Sequence, residues 1–265
     1  MKDFRNKVAV ITGGATGIGF ALARALGNEG AKIMIAEPRE AQLQASVTAL
    51  RDAGIDARYH VCDVSDLAQV EALADSAWEE FGQVDMIFNN AGISNRPKPL
   101  IDMPVEEARA VFDVNFFGVW HGCQVFARRL IKQGTPAGIF NTGSENALFN
   151  AVPNHAAYVC SKHAVLGLTD SLREQMPDFI QVGLINPGWV QSEMTRHAPQ
   201  AMAADTFAGI VLQQIRAGQF YIVSHPYNQV RIQERYDEML DAFVKFAPRY
   251  PGDDEHDVRT VINRR

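Results

Sequence analysis

Short runs of apolar, often β-branched residues alternate along the chain with longer segments whose apolar positions recur at helical spacing. Val8–Thr12 (VAVIT) has no polar alternation, which is typical of a parallel strand buried on both faces. The next segment, Gly19–Gly30, carries an apolar stripe that predicts a helix. Further strands are predicted at Lys32–Ala36, Arg58–Cys62, Met86–Phe88, Gly138–Thr142, Gln181–Ile185 and Phe220–Ser224.

The segments between these strands predict the other helices. Alternating strands and helices indicate βαβ units, and right-handed crossovers place helices on both faces of a parallel sheet. The expected fold class is therefore α/β, with a doubly wound parallel sheet of about seven strands. The predicted helices are Ala41–Ala53, Asp66–Phe81, Pro104–Gln133 (one long helix or two joined helices), Ala156–Met176, Asp205–Ala217 and Val230–Phe246.

The chain of 265 residues shows no internal repeat and no Ser/Gly-rich linker. We therefore expect a single domain over residues 1–247. The final segment, 248–265, is rich in charge, Pro and Gly, and we expect a tail or an arm that packs on a neighbour.

Composition narrows the function classes. Hydrophobic residues make up 47% and charged residues 21%, as in a globular protein with a large core. The net charge is −6 without a long basic run, which argues against nucleic-acid binding. Cys62, Cys123 and Cys160 form no CxxC pair, so neither a disulfide framework nor a metal site is expected. No apolar stretch approaches a membrane span and no secretory signal is recognisable, so we expect a cytoplasmic protein without membrane association.

A glycine-rich loop, Thr12–Gly19 (TGGATGIG), connects the first strand to the first helix. In such a loop glycines permit a tight turn, let the backbone approach a pyrophosphate and let the helix pack closely on the strand. The phosphates are then bound at the helix N-terminus, where free N–H groups favour an anion. The loop predicts a dinucleotide cofactor bound by Gly13, Thr16, Gly17, Ile18 and Gly19.

Glu37 stands at the end of the second strand, where an acidic residue accepts from the ribose hydroxyls of an adenosine. A 2′-phosphate would meet like charge there, and Thr16 in the loop supplies no cation for it. Both observations favour NAD over NADP. Arg39 is the counter-evidence, because its side chain could swing towards a 2′-phosphate.

These residues and five further motifs resemble the short-chain dehydrogenase/reductase family, and the resemblance implies a Rossmann-type fold. It is continuous over about residues 6 to 192, and the motifs are in the family's order. Thr12–Gly19 matches TGxxxGxG. The others are Asn89–Gly92 (NNAG), the helix asparagine Asn115, the upstream serine Ser144, Tyr158 and Lys162 (YxxxK), and Asn186–Val190 around the PG pair.

The predicted catalytic residues are Asn115, Ser144, Tyr158 and Lys162. Tyr158 and Lys162 are four residues apart on a helix and share a face. A nearby ammonium is expected to lower the tyrosine pKa from about 10 by about three units, so that it works as a general base or acid. Ser144 would hydrogen-bond the substrate oxygen. The resemblance implies that Lys162 also holds the nicotinamide ribose and that Asn115 positions a water in a proton relay.

The resemblance also implies further cofactor contacts. Asp63 would accept from the adenine amine beside the backbone of Val64, and Ser192 would meet the carboxamide. The turn after the fourth strand would pass the ribose, and the PG motif would flank the nicotinamide. These two groups are Asn90, Ala91 and Gly92, and Pro187, Gly188 and Val190.

Candidate substrate-pocket residues lie near the serine, near the tyrosine and after the PG motif. Glu145 and Asn146 would either contact a polar substrate group or cap a loop. The chain's ending is similar to that of a subgroup acting on bulky hydrophobic or aromatic secondary alcohols. The remaining candidates are His155, Trp189, Met194, Phe149 and Met202.

The sequence therefore predicts an NAD-dependent alcohol dehydrogenase or ketone reductase with a small-molecule substrate. An NADPH-dependent reductase of 3-oxoacyl or other keto substrates is the alternative within enzymes. A catalytically silent cofactor-binding regulator is the alternative outside them. The resemblance also implies a homodimer or homotetramer, assembled through Pro104–Gln133 and Ala156–Met176.

Overall fold

A computed structural model describes residues 1–196 and 198–263. The internal contacts divide the chain into two compact units, Met1–His225 and Pro226–Arg265. The helix that ends at Phe246 belongs to the second unit, whereas the predicted domain 1–247 includes it. The predicted boundary at residue 247 stays a prediction.

Within the described residues, seven strands form one parallel sheet in the order β3-β2-β1-β4-β5-β6-β7. The doubly wound α/β prediction is confirmed. Chain order reverses between β1 and β4, and ligands of such sheets bind beyond the carboxyl ends of the strands at that point. The strands are β1 (Val8–Thr12), β2 (Lys32–Glu37), β3 (Ala57–Val61), β4 (Met86–Asn89), β5 (Ala137–Thr142), β6 (Ile180–Asn186) and β7 (Tyr221–Val223).

Helices follow the strands, with most predicted bounds met to within two residues. The largest change is at the first helix, which begins at Gly17 instead of Gly19 and so places its N-terminus deeper in the glycine loop. The helices are α1 (Gly17–Asn28), α2 (Glu40–Asp52), α3 (Leu67–Phe81), α4 (Val105–Phe112), α5 (Gly118–Gln133), α6 (Ala156–Gln175), α7 (Ala204–Arg216), α8 (Asn228–Phe246) and α9 (Val258–Asn263).

The predicted segment Pro104–Gln133 forms two joined helices, which is one of the two expected alternatives. A π-helical turn, Asp113–Phe117, joins α4 to α5 without a break in the helical path. Such turns insert one residue into the hydrogen-bonding ladder and are frequent at functional sites.

The core lies on both faces of the sheet, as the apolar strands predict. Successive residues of β1 alternate between two buried clusters. Ala9 and Ile11 pack with residues of α1, α2 and α7, whereas Val8 and Val10 pack with residues of α3, α5 and α6.

The second unit consists of α8, a 3₁₀ turn at Asp253–His256 and α9. No residue of α8, all of which are described, is buried, and several large apolar side chains along it are exposed. The packing of segment 248–265 on a neighbour stays a prediction. Among the described residues, no helix combines the length and the apolar character needed to cross a membrane.

Phe140→Ala should lower the free energy of unfolding by about 3–5 kcal/mol, because Phe140 is fully buried and stacks on Phe88 with ring centroids 4.9 Å apart. Urea titration followed by circular dichroism measures the change. Phe246→Ala makes the same chemical change at a side chain that is 85% exposed, and it should cost less than about 0.5 kcal/mol. Equal effects of the two variants would contradict the assigned core.

Candidate active site

A cavity of about 500 Å³ lies beyond the carboxyl ends of the central strands. A volume of this size suits a cofactor or substrate. Most of the predicted site residues line it. They are Gly13, Thr16, Gly17, Ile18, Gly19, Glu37, Asp63, Val64, Asn90, Ala91, Gly92, Ser144, Tyr158, Lys162, Pro187, Gly188, Val190, Ser192 and Met194.

Seven predicted residues, all within the described part of the chain, are outside this lining: Asn115, Glu145, Asn146, Phe149, His155, Trp189 and Met202. Asn115 and Asn146 are buried behind it. Trp189 is 48% exposed. The ring of His155 bonds its own loop, with Nδ1 2.9 Å from the Pro153 carbonyl oxygen.

The glycine loop has no room for a side chain at Gly13 or Gly19. Gly13 and Gly17 have φ angles of +61° and +52°, which favour glycine. A Cβ on Gly13 would lie 2.9 Å from the Ala91 Cα, and one on Gly19 would lie 2.1 Å from the Gly13 carbonyl oxygen. Helix α1 begins at Gly17, so its first free N–H groups and its positive dipole end lie at the cavity wall.

The turn after β4 is tied to the glycine loop. The Thr12 hydroxyl accepts from the backbone N–H groups of Asn90 and Ala91, at 3.0 and 3.1 Å. The Asn90 amide donates to the carbonyl oxygens of Thr12 and Gly13. Asn90 therefore braces the two turns with its side chain and faces the cavity beside them.

At the far end of the cavity, Glu37 is only 5% exposed. Its two carboxylate oxygens accept from Arg39, from Nε at 2.7 Å and from Nη2 at 3.1 Å. Nearby, Asp63 accepts from the N–H and the hydroxyl of Ser65 on the same oxygen. The cavity thus has an anion-binding middle and an acidic end. This combination fits a dinucleotide, which carries a pyrophosphate and ribose hydroxyls.

Ser144, Tyr158 and Lys162 lie together on the opposite wall of the cavity. Ser144 follows β5, and the other two lie in the N-terminal part of α6. The Ser144 hydroxyl hydrogen-bonds the Tyr158 side chain. Lys162 Nζ lies 5.7 Å from the centre of the Tyr158 ring and donates to the Thr142 carbonyl oxygen at 2.9 Å. This acceptor could not be predicted from the residue types, because it is a backbone group.

The expected lowering of the tyrosine pKa is wrong for this structure. Burial raises the pKa of Tyr158, and the nearby Glu145 carboxylate raises it further. The hydrogen bond from Ser144 acts in the opposite direction and lowers it. The Lys162 ammonium is directed at Thr142 rather than at the phenol, and burial lowers the pKa of Lys162 to about 8. Tyr158 is therefore a protonated donor at neutral pH.

Asn115 lies in the π-helical turn and is fully buried. Its Oδ1 accepts from the Ile93 N–H at 2.8 Å, and its Nδ2 donates to the Ile93 carbonyl oxygen and to Ser161 Oγ. Asn115 fastens the turn after β4 to α6. A Cβ on Gly92 would lie 3.4 Å from Asn115 Oδ1 and 3.5 Å from Lys162 Nζ, so both polar groups adjoin Gly92.

Asn146 lies buried outside the cavity lining and donates two hydrogen bonds to the Ser144 hydroxyl. Ser144 Oγ accepts from the backbone N of Asn146 at 3.1 Å and from its Nδ2 at 3.3 Å. Asn146 Oδ1 accepts from the N–H groups of Ala151 and Val152. Of the two alternatives for Asn146, this geometry favours the loop cap.

Known proteins provide an independent comparison. A sequence model described as short chain dehydrogenase matches residues 7–203. The 1-deoxy-11-beta-hydroxypentalenate dehydrogenase of Streptomyces avermitilis is 34% identical over 241 residues, covering 87% of this chain and 89% of that protein. A 3alpha-hydroxysteroid dehydrogenase of Mediterraneibacter gnavus is 34% identical over 216 residues, covering 80% and 84%. The crystal structure of a short chain dehydrogenase/reductase from Burkholderia phymatum in complex with NAD has a TM-score of 0.86 at 31% identity, covering 95% of this chain and 99% of that chain.

Lys162→Met should stabilise the protein more at pH 7 than at pH 10, by about 2 kcal/mol. The folded pKa of Lys162, about 8, lies below the ordinary value of 10.5. Between these values the unfolded chain binds the extra proton, so wild-type stability rises with pH through this window. The buried charge is fully destabilising only below it. Urea unfolding of both proteins at the two pH values measures the difference. A pH-independent effect would contradict the lowered pKa.

Proposed function

The chain belongs to the short-chain dehydrogenase/reductase family, and on that premise we propose that it is an NAD-dependent oxidoreductase interconverting a bulky hydrophobic or aromatic secondary alcohol and its ketone. Enzymes of this family act on alcohol groups and use a nicotinamide cofactor. When bound, the nicotinamide supplies the hydride acceptor or donor. The observation that carries the proposal is the meeting of Ser144, Tyr158 and Lys162 in one cavity with the glycine loop and Glu37.

Tyr158 handles the proton. In ketone reduction its phenol donates to the carbonyl oxygen, and Ser144 stabilises the charge that develops there. In alcohol oxidation the phenolate must accept the proton. Because burial raises the pKa of Tyr158 in this structure, oxidation should be favoured by alkaline solution.

The Lys162 ammonium can donate more hydrogen bonds than the one to Thr142. An ammonium has three N–H groups, and one of them is used on the Thr142 carbonyl oxygen. The others are available to ribose hydroxyls beside Gly92, which supports the role that the family resemblance implies. Asn115 Oδ1 adjoins the same space, so we assign it to the proton path through Lys162.

The acidic end of the cavity supports NAD. A carboxylate has about four lone-pair sites. Glu37 therefore keeps acceptor capacity for ribose hydroxyls while it binds Arg39. A 2′-phosphate would meet this buried carboxylate, whose charge repels it. The NAD found in the related crystal structure agrees with this choice.

The mouth of the cavity supports an apolar substrate. Ile93 and Met194 line it and are 41% and 48% exposed. Exposed large apolar side chains at a cavity mark a binding surface for apolar groups. The two relatives named above are, by their names, dehydrogenases of a hydroxypentalenate and of a hydroxysteroid, and a steroid is a bulky apolar ring system.

We also propose that the enzyme is a homo-oligomer that associates through the helices α4, α5 and α6. Phe117 and Trp120 support this, since both are about half exposed near the start of α5. Apolar side chains of this size are enriched at interfaces between subunits.

Tyr158→Phe should lower kcat/KM about a thousandfold, because it removes the proton donor and little volume. The assay follows NADH absorbance with aromatic, steroid and aliphatic alcohols and ketones. Tyr236→Phe makes the same change at an exposed residue of α8 and should keep wild-type activity. Activity of Tyr158→Phe within about tenfold of wild type would contradict the mechanism. NADH binding by the wild type without turnover of any substrate would favour the silent regulator.

Asn146→Asp should lower kcat about a hundredfold with little change in NADH affinity. The two N–H donors of Asn146 occupy the acceptor sites of Ser144, so the serine hydroxyl is left to donate into the cavity. An aspartate in place of Asn146 would accept that hydrogen and withdraw it. The pH profile of alcohol oxidation should also shift to higher pH, since Ser144 lowers the pKa of Tyr158. A loss of activity without that shift would assign Asn146 a purely structural role.

A further inference from the structure

Arg39 lies between two carboxylates that are far apart in the chain. On one side it donates to both oxygens of Glu37. On the other side Nη1 and Nη2 donate to the two oxygens of Glu193, at 3.2 and 3.1 Å. Glu193 follows β6 and lines the same cavity. Glu193 and Arg39 are 154 residues apart, and no sequence motif pairs them.

The backbone around Glu193 is held in a compact turn. The Thr195 hydroxyl donates to the Val190 carbonyl oxygen at 2.6 Å and accepts from the Ser192 N–H at 2.9 Å. Ser192, which precedes Glu193, contacts the glycine loop: a Cβ on Gly17 would lie 2.9 Å from the Ser192 Cβ. The turn therefore packs against the glycine loop. The hydrogen bonds and the packing of this turn hold the backbone of Glu193 near Arg39.

The cluster of Glu37, Arg39 and Glu193 has a net charge of −1, from two carboxylates and one guanidinium. The hydrogen bonds that Arg39 donates to Glu37 and to Glu193 raise the pKa of Arg39, so its charge is permanent. Arg39 and Glu193 are each about half exposed, and a single exposed ion pair is weak. Here the guanidinium makes four hydrogen bonds to two carboxylates, which fixes its direction as well as its charge.

We propose that Glu193 is a coenzyme-specificity residue: it holds the Arg39 guanidinium against Glu37, withholds that cation from a 2′-phosphate, and so favours NAD over NADP. The inference rests on the proposed function. A 2′-phosphate bound beside Glu37 has to recruit Arg39, and to do so it has to displace Glu193. NAD makes no such demand, because its ribose hydroxyls use the acceptor sites of Glu37 that Arg39 leaves open. Specificity then comes from excluding the wrong coenzyme as well as from binding the right one.

Glu193→Gln keeps the size of the side chain and removes its charge. The ratio of Kd for NADPH to Kd for NADH should fall about tenfold, which corresponds to about 1.4 kcal/mol. Titration of each reduced dinucleotide, followed by its own fluorescence, measures the two constants without any substrate. The double variant Arg39→Gln/Glu193→Gln should lose the gain, because the released cation is the source of the new affinity.

Two comparisons separate this mechanism from a general effect of charge. Glu234→Gln breaks the exposed pair with Arg231 on α8, whose residues do not line the cavity, and it should leave the ratio unchanged. Adenosine 2′,5′-bisphosphate and adenosine 5′-phosphate, used as competitors, should show the same tenfold change as the dinucleotides, which places the effect at the adenosine end. Thermal unfolding without ligand checks that each variant is folded.

The outcomes are distinct. An unchanged ratio in Glu193→Gln, or a gain that survives in the double variant, would overturn the proposal while leaving the oxidoreductase in place. Failure of the wild type to bind either dinucleotide would overturn the proposed function itself. A wild type that prefers NADPH would overturn the NAD assignment and the specificity role of Glu193 together.

Discussion

The hydroxyl of Thr12 joins β1 to β4 at the point where the order of the strands reverses. It accepts two backbone N–H groups from the turn after β4 and donates to the Phe88 carbonyl oxygen. Thr12 is only 3% exposed, so water cannot replace these partners, and an unsatisfied buried donor costs about 1–3 kcal/mol. The glycine loop and the turn at Asn90 are consequently held as one unit. The anion-binding end of α1 depends on this junction for its position.

At the proposed catalytic residues Tyr158 and Lys162, by contrast, burial acts against the charged form of the side chain. Lys162 is buried to 4% exposure with a carbonyl oxygen as its hydrogen-bond acceptor, and burial works against its charge. The same burial keeps the Tyr158 proton in place. The buried charge of Lys162 therefore weakens the fold at neutral pH, at the place where the proposed proton transfer needs it. Asn115 and Asn146 help to hold these groups in position. Each fixes a neighbouring segment through at least three hydrogen bonds.

The sheet could be predicted from the sequence because most strands are short, apolar and separated by a helix-length segment, a pattern with few alternatives. β3 is the exception in composition, since it contains Arg58 and His60. Most residues of the cavity could be predicted because the sequence motifs around them resemble those of a known family. Interactions between distant segments could not be predicted in this way. The π-helical turn at Asp113–Phe117, the pair Arg39–Glu193 and the support of Ser144 by Asn146 all depend on packing. The direction of the Tyr158 pKa depends on where Lys162 is aimed, which i and i+4 spacing does not determine.

The segment after β6 connects the two ends of the site. Within a few residues it presents Ser192 to the glycine loop, Glu193 to Arg39 and Met194 to the mouth of the cavity. Its two ends are tied to each other, because Gln191 donates to the Met202 carbonyl oxygen and Met202 donates to the Trp189 carbonyl oxygen. Thr195 adds hydrogen bonds to Val190 and Ser192 within the same segment. The proposed surface for the substrate at Met194 and the proposed coenzyme-specificity residue Glu193 are therefore neighbours on one segment whose ends are hydrogen-bonded to each other.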